Sequence, residues 1–233
     1  PYRLTPLVPD SHVRLNGAAY RGVLDVVPNA DGTVTAINIV DMEDYLRGVL
    51  PNEIGTKDSA IYEAVKAQAV AARTYSVNYH GRRIDLGFDL YASTEDQVYS
   101  GVLAETPNSD RAIQETWGML ADYGGMPIRA NYSSTCGGKT ASNDEVWEQD
   151  PLPYLRGTRD RGRGAKEAFC KTSPLYRWTE TWDADDFAAR FRDAFRHRTG
   201  KEPPGGAFED VKVRKRTESG RVKDLEIRFE NGE

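Results

Sequence analysis

Glu53 stands in the run Leu50-Pro51-Asn52-Glu53-Ile54-Gly55, a single carboxylate among apolar neighbours and between two stretches with helical spacing. A carboxyl desolvated by such neighbours rises in pKa and keeps its proton near neutral pH, as a general acid requires. The plainer alternative is an exposed loop glutamate near the next helix N-terminus, where the dipole favours its charge. A second concentration of polar chemistry is Ser133-Ser134-Thr135-Cys136-Gly137-Gly138-Lys139-Thr140. Its glycines let backbone N–H groups approach a ligand, and its hydroxyls and Lys139 supply donors. No Walker spacing follows and no GxGxxG opens a helix, which argues against nucleotide binding, and a turn that merely needs glycine explains the segment as well. The only cysteines are Cys136 and Cys170, and none of His12, His80 or His197 is spaced from them as a catalytic dyad. A disulfide, two buried thiols and a sparse zinc site all remain open.

The elements that must position these groups are legible in part. Tyr20 to Val27, a turn at Asn29 to Gly32, and Val34 to Val40 predict a β-hairpin. Asp41 and Asp44 resemble a capping box opening a short helix with Tyr45, Leu46, Val49 and Leu50, which Pro51 should stop. Asp58 or Ser59 can cap a helix over about 59–79, with Ile61, Ala64, Val65, Ala69 and Ala72 on its core face. Its many alanines leave it thin enough to be surrounded, placing Gln68 and Arg73 inside; Arg73 is then a structural strut or part of a site. Residues 80–108 read as a long, functional loop. Ser109 caps a further helix closed by Gly118, and Gly124-Gly125 centres a hairpin. Arg156 to Lys166 reads as an exposed, mobile loop. Asp183 and Asp186 open a helix bearing Phe187, Phe191 and Phe195, and two strands flank Ser219-Gly220. Asn231-Gly232 looks like a turn whose returning strand lies beyond Glu233.

The fold class expected is α/β in the α+β sense, a β-rich scaffold of N- and C-terminal hairpins with one long Ala-rich helix. The 233 residues suit one elaborated domain or two intimate lobes. Residues 1–153 hold 12 basic and 21 acidic side chains and residues 154–223 hold 18 and 11, so a lobe boundary after 153 is the alternative to a single domain over 1–233. The basic stretch could meet an anionic polymer, but no nucleic-acid motif accompanies it and the pI is about 5.4. Nucleic acid is therefore not the expected partner. No window approaches the roughly 20 apolar residues of a membrane helix.

The run Val40 to Glu53, followed by Glu63-Ala64-Val65-Lys66-Ala67-Gln68-Ala69-Val70-Ala71-Ala72-Arg73-Thr74-Tyr75, resembles the signature of the stage II sporulation protein D and amidase-enhancer LytB family. Gln97-Val98-Tyr99-Ser100-Gly101, Tyr132 to Thr140, Val146-Trp147, Pro153-Tyr154-Leu155 and Ser173-Pro174-Tyr176-Trp178 continue the likeness in family order, over about residues 20–230. The resemblance implies a secreted or envelope-facing peptidoglycan lytic transglycosylase. Such an enzyme cleaves between N-acetylmuramic acid and N-acetylglucosamine and leaves a 1,6-anhydro end. Glu53 matches the family's catalytic glutamate.

Arg73, Gln97, Tyr99, Ser134, Gly137, Lys139 and Thr140 are the candidates for an extended substrate groove around it. An oxidising compartment would suit a Cys136 to Cys170 disulfide. The rival reading is a non-catalytic glycan-binding module that stimulates a cell-wall amidase. A water-using hydrolase would instead need a second carboxylate, for which Asp89, Glu95 or Asp96 are available. Some relatives carry a Cys and His zinc pattern before Gln-Val-Tyr, but Leu90 to Asp96 stand here, so no metal or other cofactor is expected. Ile54-Gly55 also replaces the family's frequent Met-Pro after the glutamate.

Overall fold

The computed structural model describes residues 1–8, 10–55, 59–147 and 149–232, the side chain of Ser59 excepted. The chain forms two compact units, Pro1–Tyr132 and Ser133–Glu233. The division falls ahead of the charge shift after 153, because charge composition reports the solvent-facing surface and not which segments share a core.

In the first unit, β1 (Tyr2–Leu4), β2 (Val13–Leu15), β3 (Ala18–Tyr20), β4 (Val23–Pro28) and β5 (Val34–Ile39) precede three helices. β1, β4 and β5 form one antiparallel sheet in that order, and β2 pairs with β3. The expected first hairpin is β4–β5, in register from Val23↔Ile39 to Pro28↔Val34. Helix α1 (Met42–Ile54) is capped by Asp41, whose side chain accepts from the Glu43 N–H. Asp44 is not part of that cap and pairs with Arg47 instead. Pro51 does not end α1 as expected. It lies inside the helix, whose last turn carries Glu53, and only the i−4 bond that a proline cannot donate is forfeited.

A 3-10 turn (Ser59–Ile61) leads into α2 (Tyr62–Tyr79), which starts later than the spacing suggests and has no side-chain cap. Asp58 lies outside the described residues. Val65, Ala69 and Ala72 face the core as expected, whereas Ile61 and Ala64 are exposed. Leu46, Val49 and Leu50 of α1 pack on these α2 residues and on Ala112 and Ile113 of α3 (Pro107–Glu115). Thr106, not Ser109, is the N-cap of α3; Ser109 is the reciprocal third residue of a capping box. The Gly124-Gly125 hairpin is present but short, with β6 (Asp122–Tyr123) and β7 (Met126–Pro127).

The second unit holds a single turn α4 (Asn143–Val146), then α5 (Ala184–Thr199), β8 (Phe208–Arg216) and β9 (Val222–Phe229). Asp183 caps α5 through the Asp186 N–H, and Gly200 closes it. Phe187 and Phe191, one turn apart, meet Phe208 and Phe229 of the β8–β9 hairpin at ring separations of 4.9 and 5.6 Å. No described helix is long and apolar enough to cross a membrane. Among the described residues the architecture is mixed α/β, with several small antiparallel sheets and no barrel.

Candidate functional site

Glu53 is half-buried on the last turn of α1, and its Oε1 accepts the backbone N–H of Val98 at 2.9 Å. Among the described residues no cation pairs with it. The preceding residue fastens the same strip of chain: Asn52 Nδ2 donates to the carbonyls of Gly48 and Val98 and to Ser100 Oγ, at 2.9, 3.1 and 3.1 Å. Ser100 N–H returns a bond to the Gly48 carbonyl. The close approach requires glycine at 48, because a Cβ there would lie 2.4 Å from the Tyr99 ring.

The strip is held from its other side by Asp96 and Gln97. Gln97 is fully buried, its Oε1 accepting from Tyr45 and Ser76 and its Nε2 donating to the Ala72 carbonyl and Tyr132 Oη. Every hydrogen-bonding direction that matters is therefore used within the protein, which satisfies a buried amide and leaves it little to offer a ligand. Asp96 has a wholly buried side chain that accepts from Tyr75 Oη and the Tyr91 N–H and pairs with Arg83 at 2.7 Å. With its oxygens so committed, and with no Cys or His in 90–96, this segment does not fit a metal ion. Of the other carboxylates considered, Asp89 accepts the Gly81 N–H and Glu95 is exposed.

Burial pushes Tyr132 up to about 12, against the opposing bond with Gln97, and the Glu53 charge adds to the rise. Burial likewise pushes Tyr45 far above the usual phenol range, with Glu53 among the lesser contributors. Both phenols thus stay neutral across the physiological range and lie within electrostatic reach of Glu53.

Arg73 is the strut rather than a groove residue. It is 2 % exposed, and its guanidinium donates to both oxygens of Glu43 at 2.8 and 2.6 Å and to the Met119 carbonyl. Glu43 also accepts the Gly118 N–H. Tyr99 spends its hydroxyl on Asn38 and its ring on Tyr45 and Tyr20. Of the first unit's candidates, then, Gln97 and Tyr99 shape the strip facing Glu53 and Arg73 is spent elsewhere. A hollow of about 490 Å³ is walled by Asp41, Asp44, Arg47, Asp110 and Trp117 among others, and Glu53 is not on its walls.

Ser134, Gly137, Lys139 and Thr140 belong to the second unit. Gly137 and Gly138 have φ of 73° and 103°, the turn conformation that favours glycine. Lys139 Nζ donates to the Glu218 carbonyl, Thr140 exchanges bonds with Thr158, and the Gly137 carbonyl accepts from Arg177. Ser134 is exposed. Cys136 and Cys170 form no disulfide; their thiols share a hydrogen bond with the sulfurs 3.8 Å apart, and Asp160 joins them. The loop from Arg156 to Lys166 is anchored there rather than wholly free: Arg159 bridges to Lys139, and Asp160 accepts the Cys170 N–H.

Residues that the sequence did not single out include Asn52, Val98 and Ser100, which position Glu53, and Glu43 and Asp160. Adjacency to Glu53 was a usable signal for Asn52. A backbone N–H leaves none, and neither Glu43 nor Asp160 differs from its exposed acidic neighbours in sequence.

The stage II sporulation protein family model, SpoIID, matches residues 30–123, which include Glu53 and the strip from Gln97 to Gly101. An uncharacterized protein of Brachyspira hyodysenteriae is 39 % identical over 144 residues, 61 % of this chain and 38 % of its own length. The amidase enhancer of Bacillus subtilis is 40 % identical over 115 residues, 49 % of this chain and 15 % of its own. Stage II sporulation protein D of the same organism is 29 % identical over 167 residues, 65 % of this chain and 46 % of its own. The chain thus spans less than half the length of the curated relatives it matches.

Proposed function

Because the chain belongs to the stage II sporulation protein D and amidase-enhancer family, we propose that it is a lytic transglycosylase acting on peptidoglycan glycan strands outside the cytoplasmic membrane. Glu53 serves as its acid and then its base. The observation that carries this reading is the one-sided fixation of Glu53: Oε1 accepts from Val98, and no cation among the described residues neutralises the carboxylate. A backbone N–H can only donate, so Oε1 is the acceptor in either protonation state and the transferable proton belongs on Oε2.

The acid delivers that proton to the glycosidic oxygen as the bond from the muramic acid C1 breaks and positive charge develops on the ring. The carboxylate left behind takes the proton of the sugar's C6 hydroxyl while that oxygen closes on C1. The product is a 1,6-anhydro ring, no water is consumed, and Glu53 ends protonated as it began. No second carboxylate is needed, which agrees with the commitment of Asp96 to Tyr75, Tyr91 and Arg83. Asn52, Gln97 and Tyr99 act as positioning residues that hold the strip opposite Glu53.

The likeness to an amidase enhancer favours a second reading, a module that grips glycan and stimulates an amidase without cutting. Mass spectrometry of glycan strands with and without stem peptides separates the two. The expected products end in anhydro sugars, one water lighter than hydrolytic ends, and vanish with Glu53→Gln, which keeps an oxygen to accept from Val98. Hydrolytic ends would point to a water nucleophile. Retained glycan binding with no cleavage would sink the enzyme and leave the enhancer.

A further inference from the structure

In the second unit, Cys136, Asp160 and Cys170 come from three separate segments, and one donor atom of each lies within 4.8 Å of the others. We propose that these three side chains bind a zinc-class divalent cation, with water in the fourth position, and that the ion fastens the turn carrying Gly137 and Lys139. The sulfur separation is 3.8 Å. A disulfide would need about 2.05 Å, whereas two thiolates on a tetrahedral zinc, each about 2.3 Å from the metal, stand about 3.8 Å apart. Tetrahedral coordination puts the carboxylate oxygen about 3.5 Å from each sulfur, so from separations within 4.8 Å an adjustment of at most about 1.3 Å in the carboxylate lets one ion reach all three.

The surroundings are built for the arrangement. Asp160 Oδ2 accepts the Cys170 N–H, which holds the carboxylate beside the two sulfurs. Ligating carboxylates are commonly steered by such an outer bond. The Asp160 backbone is laced on both sides, its N–H donating to the Gly138 carbonyl and its carbonyl accepting from Phe169. Each thiol loses one proton to solvent on binding, so two thiolates, a carboxylate and a dication leave one net negative charge. Arg221 and Arg177 stand ready to offset it, since they already donate to the carbonyls of Cys136 and Gly137 at 2.9 and 3.0 Å. All three ligands are half-buried, which leaves the fourth position open to water.

The test is zinc titration of the reduced, metal-stripped full chain, with cobalt as a spectroscopic substitute. One equivalent of zinc and a cobalt–thiolate charge-transfer band are expected. Cys136→Ser, Cys170→Ser and Asp160→Asn should each weaken binding by more than the ~10- to 100-fold that follows loss of an outer-shell partner. Asp160→Asn keeps an oxygen for the Cys170 N–H, so it reads the ligand role even if a cysteine variant fails to fold. Uptake that survives any of the three substitutions, or cobalt binding without a thiolate band, would overturn the site. So would protein isolated without reductant that is two hydrogens lighter, the mark of a Cys136–Cys170 disulfide formed by exchange with a disulfide oxidant.

Discussion

In the first unit α2 is enclosed over the turn in which Ala72, Arg73, Thr74, Tyr75 and Ser76 are all buried in succession, whereas α5 of the second unit buries Ala188 alone. The sequence basis of the difference is side-chain volume. Small residues along α2 let α1, α3 and the 96–101 strip approach, and three polar groups drawn inside have partners, Arg73 with Glu43, Thr74 with the Val70 carbonyl and Ser76 with Gln97, whereas the buried Nε2 of Gln68 has none among the described residues. The second unit instead joins one helix face to one hairpin through four phenylalanines, and ties its long loops with backbone bonds around Asn143, Thr158 and Asp160. An enclosed polar network fixes geometry closely because misalignment strands buried groups, while an aromatic cluster tolerates small shifts. The difference explains why the candidate catalytic carboxylate is placed by the first unit.

The comparison can be broken most forcefully at Glu43. Glu43→Ala leaves Arg73 buried and unpaired and should cost about 3–5 kcal/mol. Hydrogen exchange should rise across α1 and α2 while α5 keeps its protection; a uniform rise over the whole chain would show that the two units unfold together. Phe229→Ala is the counterpart in the second unit, where removal of a side chain only 2 % exposed should cost about 3 kcal/mol and loosen β8 and β9 first. Gly48→Ala forces a methyl against the Tyr99 ring and should cost about 1–3 kcal/mol. Because the same shift moves Val98 from Glu53, glycan cleavage should fall further than the melting temperature suggests.

The smallest effect concerns acid. Burial alone would raise the Glu105 carboxyl, but hydrogen bonding and charge from Arg21, with Arg47 adding, outweigh it and hold the group below its ordinary 4.5. A folded value below the unfolded one means the stabilisation is complete above 4.5 and is lost as pH falls through the folded value. Glu105→Gln should therefore flatten the acid limb of first-unit stability and leave the second unit's limb unchanged, as followed by hydrogen exchange.

Much of this molecule was legible residue by residue. Alternation and turn residues marked β4–β5 and β8–β9, helical spacing and a capping aspartate marked α5, and the alanines of α2 announced that Arg73 would be buried. The boundaries of α1 were not, because a proline near a helix end costs one hydrogen bond, and packing of Leu46, Val49 and Leu50 outweighs that loss. Within the candidate site, Glu53 stood out through its apolar neighbours and through its place in the family's run of residues. The sequence by itself determined which side chains were available for chemistry, since residue type and local spacing are one-dimensional properties. Only the tertiary structure decided which partner each one has: that Arg73 is consumed by Glu43, that Asp96 is spent on holding a loop, that a backbone N–H at Val98 aims Glu53, and that Asp160 meets two cysteines. Such pairings are settled by distances in space between residues far apart in the chain, and by the cost of leaving any buried polar group without a partner.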